Sequence, residues 1–123
     1  MKKILIVDDS PLQQKLATIY LSKEEYTIIT AGSGREAVEL AAREKPDLII
    51  LDVEMPEMDG IEALRHLKSD PETSSIDVLM CSSVKKEEVI REALQIGAKG
   101  YLNKPHGFKN FNTNVKNILT GSV

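Results

Sequence analysis

The run Asp47-Leu48-Ile49-Ile50-Leu51-Asp52 constrains this chain more than any other feature. Unbroken apolar residues without polar alternation predict a strand buried on both faces, the kind found in parallel sheets covered by helices. A second run, Ile4-Leu5-Ile6-Val7, ends at Asp8 and Asp9 much as the first ends at Asp52. If the two strands are parallel neighbours, three carboxylates meet at one edge of one sheet. Such a cluster is costly unless a cation sits among the charges. The pattern therefore points to a hard divalent cation and to one oxygen placed as a nucleophile.

Strand and helix patterns alternate five times along the chain, with no repeat, linker or low-complexity tract between them. Strand one is expected over Lys3 to Val7. Ser10-Pro11-Leu12-Gln13 then opens a helix, with Ser10 as cap, Pro11 in the first turn and Gln13 closing a capping box. This helix runs to about Ser22 and carries Leu12, Leu16, Ile19 and Tyr20 on one face. Strand two covers Tyr26 to Ala31. Ser33-Gly34-Arg35-Glu36 is a second capping box, and Ala37, Leu40 and Ala41 form a buried face before Pro46. Strand three is Asp47 to Asp52, followed by the turn-rich Met55-Pro56-Glu57-Met58-Asp59-Gly60. Helix three spans about Gly60 to Ser69, strand four Ile76 to Ser82, and helix four Lys86 to Ile96, with Gly97 as its stop. Strand five is Gly100 to Leu102. Helix five runs from about Phe108 to Leu119, and its four asparagines make it the least stable of the helices.

Five such units predict an α/β fold, a parallel sheet with helices on both faces, as one domain over residues 1–123. Ligands of these sheets bind outside the carboxyl ends of the strands. Asp8, Asp9, Asp52, Ser82 and Lys104 all fall there. A chain of 123 residues buries roughly two-thirds of its unfolded surface, enough for a real core. The net charge of −3 excludes a general nucleic-acid binder. No apolar stretch approaches the roughly 20 residues of a membrane span, and the N-terminus carries no signal-peptide pattern. Cys81 is the single cysteine and is expected in the core, which suits a reducing, cytoplasmic setting.

Several motifs in order carry a resemblance over the whole chain. They are Val7-Asp8-Asp9-Ser10, Asp52 to Gly60, Ser82-Ser83, Gly97-Ala98-Lys99-Gly100-Tyr101 and Lys104-Pro105. Each is weak alone, but at these separations the chain resembles the CheY-like receiver domains of bacterial two-component response regulators. The resemblance implies the flavodoxin-like doubly wound sheet with strand order 2-1-3-4-5. It implies that Asp52 accepts a phosphoryl group from a sensor histidine kinase, a histidine phosphotransfer protein or acetyl phosphate. It implies Mg²⁺ held by Asp9 and Asp52, by Asp8 directly or through a water, and by the backbone carbonyl of Glu54. Lys104 would pair with Asp52 and then with the phosphoryl, aimed in part by a cis Lys104-Pro105 bond. Ser82 would bond another phosphoryl oxygen, Tyr101 would follow it inward, and a downstream protein would read the face of helix four, strand five and helix five. Such a switch catalyses its own phosphorylation and dephosphorylation without being a conventional multiple-turnover enzyme. Chemotaxis is one process that uses the family.

The chain also departs from the family's habits. Ser83 stands where a small apolar residue is usual, and its hydroxyl either narrows access to Asp52 or makes an extra bond. His106 and Gly107 follow Lys104-Pro105, and Glu54 and Val84 occupy positions that tune phosphoryl lifetime in the family. His66 and His106 have no partners at metal spacing, and Asp59-Gly60 reads as a turn without chemistry. The main competing expectation is a phosphorylation-independent interaction module on the same fold. A third, a small phosphatase with an aspartate nucleophile, lacks room for a cap domain.

Overall fold

The computed structural model describes residues 1–83, 86–103 and 111–121. Its elements alternate as β1 (Lys2–Val7), α1 (Pro11–Leu21), β2 (Tyr26–Ala31), α2 (Gly34–Glu44), β3 (Leu48–Asp52), α3 (Gly60–Ser69), β4 (Asp77–Ser82), α4 (Glu87–Ile96), β5 (Gly100–Asn103) and α5 (Phe111–Thr120). The strands form one parallel sheet in the order β2-β1-β3-β4-β5. The fold class and strand order are therefore as the sequence and its resemblance imply. The cis expectation at Lys104-Pro105 and the expected helix-five start at Phe108 lie outside the described residues.

The apolar strands are unbroken because the sheet is covered twice. Leu5, Val7, Ile49, Leu51, Val78 and Met80 point to one face and meet Ala37, Ala41, Ala63, Leu64, Leu67 and Ala93 of α2, α3 and α4. Their neighbours Ile4, Ile6, Leu48, Ile50, Leu79 and Cys81 point to the other face and meet Ala17 and Leu21 of α1 and Phe111 and Val115 of α5. Strand side chains alternate between faces, so a strand buried on both sides has no room for a polar residue until it ends. All five residues of β3 are buried, including Asp52.

The first helix departs from expectation. Its apolar stripe does not face the core: Leu12 is 63% exposed and Ile19 55%, whereas Ala17 and Leu21 are buried. The face that is buried carries the apolar Ala17 and Leu21, with Gln14 beside them. Gln14 Nε2 donates to the backbone carbonyls of Asp8 at 2.7 Å and Ala31 at 3.3 Å. The face bearing Gln14, Ala17 and Leu21 thus lies toward the sheet, and Leu12 and Ile19 lie toward solvent.

Both expected capping boxes form on one side only. Ser10 Oγ accepts from Gln13 N–H at 3.3 Å, but Ser10 N–H donates to Asp8 Oδ1 at 2.9 Å and not to Gln13. A carboxylate is a stronger acceptor than an amide and takes that donor. Ser33 Oγ accepts from Glu36 N–H at 3.1 Å, while Glu36 Oε1 reaches one residue further back to Gly32 N–H at 2.7 Å.

Candidate functional site

The register of β1 against β3 pairs Val7 with Leu51, so both strands end level at the same edge of the sheet. The carboxylates of Asp8, Asp9 and Asp52 meet there, with one oxygen from each lying within 4.8 Å of the others. Asp8 and Asp52 are buried and Asp9 is exposed. Buried carboxylates this close are unfavourable unless something positive joins them. An all-oxygen set open on the Asp9 side fits a hard divalent cation that keeps some of its water.

Asp8 and Asp52 are held from the backbone outward. Asp8 N–H donates to Ala31 carbonyl at 3.1 Å, Gln14 grips the Asp8 carbonyl, and Ser10 N–H orients its Oδ1. Asp52 pairs with Cys81 across β3 and β4, and Val53 N–H donates to the Cys81 carbonyl at 3.3 Å. Behind Asp52, Gly60 N–H donates to the Val53 carbonyl at 2.8 Å and brings the start of α3 against the strand end. A β-carbon on Gly60 would stand 2.1 Å from the Asp52 carbonyl oxygen, so only glycine fits. Asp59 caps this helix, accepting from Glu62 N–H at 2.9 Å.

Ser82 ends β4 at the same edge and is fully buried. Its Oγ donates to Glu54 Oε1 at 3.1 Å, and Ser83 Oγ donates to the same oxygen at 3.1 Å. Ser83 thus makes the extra bond that its hydroxyl allows. Tyr101, half-buried on β5, packs against the core on the α3 side. Burial pushes its hydroxyl above the usual tyrosine range, and the charges of Glu54 and Asp52 add to the shift; the same hydroxyl hydrogen-bonds with Ser82. Lys104, Val84, His106 and Gly107 lie outside the described residues. His66 is exposed. Gln13, Asp8, Asp52, Cys81 and Phe111 line a cavity of about 10 Å³ beneath the carboxylates, room for one water at most.

The structure therefore brings together Asp8, Asp9, Asp52, Glu54, Ser82 and Tyr101. Sequence reasoning missed two contributors. Gln14 carries no motif, and Gly60 shows its role only when the backbone of Asp52 is seen behind it.

Comparison with known proteins shows the family. The family model "Response regulator receiver domain" matches residues 4–116. The chain belongs to that family. It is 36% identical to protein PilH of Pseudomonas aeruginosa over 98% of this chain and all of that one. It is 34% identical to the chemotaxis protein CheY of Halobacterium salinarum over 97% of this chain and 98% of that one. Among solved structures, the signal receiver domain of a signal transduction histidine kinase from Syntrophus aciditrophicus superposes with a TM-score of 0.88 at 36% identity, covering 98% of this chain and 92% of that one. Other relatives are longer: the chain spans 50% of the Bacillus subtilis regulator PhoP. Receiver domains are phosphorylation-type signalling switches that generally bind Mg²⁺ at an acidic cluster. No helix among the described residues is long and apolar enough to cross a membrane.

Proposed function

We propose that this receiver domain accepts a phosphoryl group on Asp52 and signals through the face formed by α4, β5 and α5. The observation that carries the proposal is the convergence of Asp8, Asp9 and Asp52 beside the fully buried Ser82. An Asp52 oxygen would bond to phosphorus as the bond from phosphorus to the donor's histidine nitrogen breaks, and the imidazole would keep the electron pair. Water would later cleave the acyl phosphate, returning the carboxylate and inorganic phosphate. Transfer of this kind passes through a loose transition state, so the protein supplies position and charge more than covalent chemistry.

Asp9 and Asp52 would hold Mg²⁺ directly, Asp8 directly or through a water, together with the Glu54 backbone carbonyl, and the bound cation would neutralise charge on the phosphoryl oxygens. Lys104 would supply a compact second positive charge. Ser82 would donate its hydroxyl to a phosphoryl oxygen, drawing the segment after β4 toward Asp52, and Tyr101 would move with it. The shift is worth only what the phosphoryl gains from that contact in the active state. The donor would be a histidine kinase or phosphotransfer protein, and the reader a protein docked on α4, β5 and α5. Incubation with acetyl phosphate tests the proposal. It predicts one added phosphoryl that forms with Mg²⁺ and does not form when chelator is present from the start; no adduct with metal present would favour a phosphorylation-independent module.

A further inference from the structure

Ser82 is the hydroxyl on which the proposed switch turns, and it is already engaged. Its Oγ and that of Ser83 donate to one oxygen of Glu54, each at 3.1 Å. Glu54 lies two residues beyond Asp52, on the same sheet edge. A carboxylate oxygen taking two serine hydroxyls resembles in charge and demand the phosphoryl oxygen that Ser82 would meet on Asp52. Ser82 has one proton to give, so the two anions compete for it.

We propose that the Glu54 side chain acts as an internal stand-in for the phosphoryl, latching Ser82 and Ser83 in the resting state and setting how readily the acceptor site switches. The inference rests on Asp52 being the acceptor. Ser82 and Ser83 are adjacent, so drawing Ser82 to a phosphoryl lifts both hydroxyls from Glu54, and activation must give up both bonds. The bonds are long for hydroxyl–carboxylate contacts, which are usually 2.5–2.7 Å, and Glu54 is exposed. The latch is therefore weak. It tunes the resting balance and does not forbid the active state. Ser83 is then the residue that fits this chain to Glu54, with no phosphoryl contact of its own required.

A double-mutant cycle tests the latch, with beryllofluoride and Mg²⁺ as the phosphoryl probe and its dissociation constant as the readout. The four proteins are wild type, Ser83→Ala, Glu54→Ala and the double variant, each checked by melting temperature. Glu54→Ala alone decides nothing, because removing its negative charge eases anion binding with or without a latch. The latch predicts that Ser83→Ala tightens beryllofluoride about two- to tenfold, the worth of one net hydrogen bond. It further predicts no such tightening once Glu54 is alanine. Equal tightening in both backgrounds would mean that Ser83 merely narrows access, and would overturn the latch. No tightening in either background, or weaker binding in Ser83→Ala, would overturn it too. Wild-type protein that binds no beryllofluoride would overturn the acceptor proposal itself, and the latch with it.

Discussion

Gly60→Ala should destabilise this protein, against the usual sign of such a change. In an exposed helix, alanine is the better helix former by about 1 kcal/mol. Here the new β-carbon would stand 2.1 Å from the Asp52 carbonyl oxygen, 2.7 Å from Val53 Cα and 2.9 Å from the Asp52 carbonyl carbon. All three atoms are backbone, so no side chain can rotate away. Relief requires roughly 1 Å of movement between α3 and the end of β3. Leu64 and Leu67 resist it from within the core, and so does the 2.8 Å bond from Gly60 N–H to the Val53 carbonyl. Forced overpacking costs about 1–3 kcal/mol, and a clash with rigid backbone belongs at the upper end, about 3 kcal/mol. The same movement displaces Asp52, and a misplacement of about 1 Å at a reacting group costs on the order of 10²-fold in rate. Urea unfolding followed by circular dichroism reads the first effect, and the rate of phosphoryl uptake from acetyl phosphate reads the second. A Gly60→Ala protein that is as stable as wild type and reacts as fast would refute the reasoning.

Further outcomes follow from the same geometry. Mg²⁺ should raise the melting temperature: with an assumed affinity of about 1 mM, roughly 10 mM metal adds about 1.4 kcal/mol, and a melt indifferent to Mg²⁺ would count against the carboxylate site. Gln14→Ala removes the donor held by the Asp8 and Ala31 carbonyls and should cost about 1–3 kcal/mol while weakening Mg²⁺ binding; calorimetric titration that shows wild-type affinity would separate Gln14 from the site. Tyr101 has a raised folded-state pKa, so the stability it lends as the neutral phenol is complete below its unfolded value of 10.0 and is lost as the pH rises through the folded value. Tyr101→Phe should therefore flatten part of the stability loss above about pH 10 in urea melts, and an unchanged alkaline limb would contradict the burial of that hydroxyl.

Much of this molecule was legible in its residues, and particular elements show why. β3 declared itself because a strand covered on both faces must stay apolar until its end, and the same rule placed Asp52 at the edge. The parallel pairing with β1 then brought Asp8 and Asp9 to the same place. In α1 the larger apolar side chains do not mark the buried face: the smaller stripe of Ala17 and Leu21 packs on the sheet beside Gln14 and its two hydrogen bonds, and Leu12 and Ile19 are exposed. Gln13 failed as a capping partner because Asp8, nearby in space, competes better for the Ser10 N–H. Gly60 read as a turn residue because its constraint is the backbone of Asp52, a contact that sequence spacing does not encode. The bond from Ser83 to Glu54 joins two positions 29 residues apart and becomes visible only when β3 and β4 lie side by side.

The central claim is that Asp52, and no neighbouring carboxylate, takes the phosphoryl. Borohydride reduces an acyl phosphate on aspartate to homoserine, a mass change that peptide mapping can place on one residue. After treatment with acetyl phosphate and Mg²⁺, homoserine should appear at position 52, and Asp52→Asn protein should show none. Homoserine at Asp8 or Asp9, or an equal yield from the Asp52→Asn protein, would contradict the account.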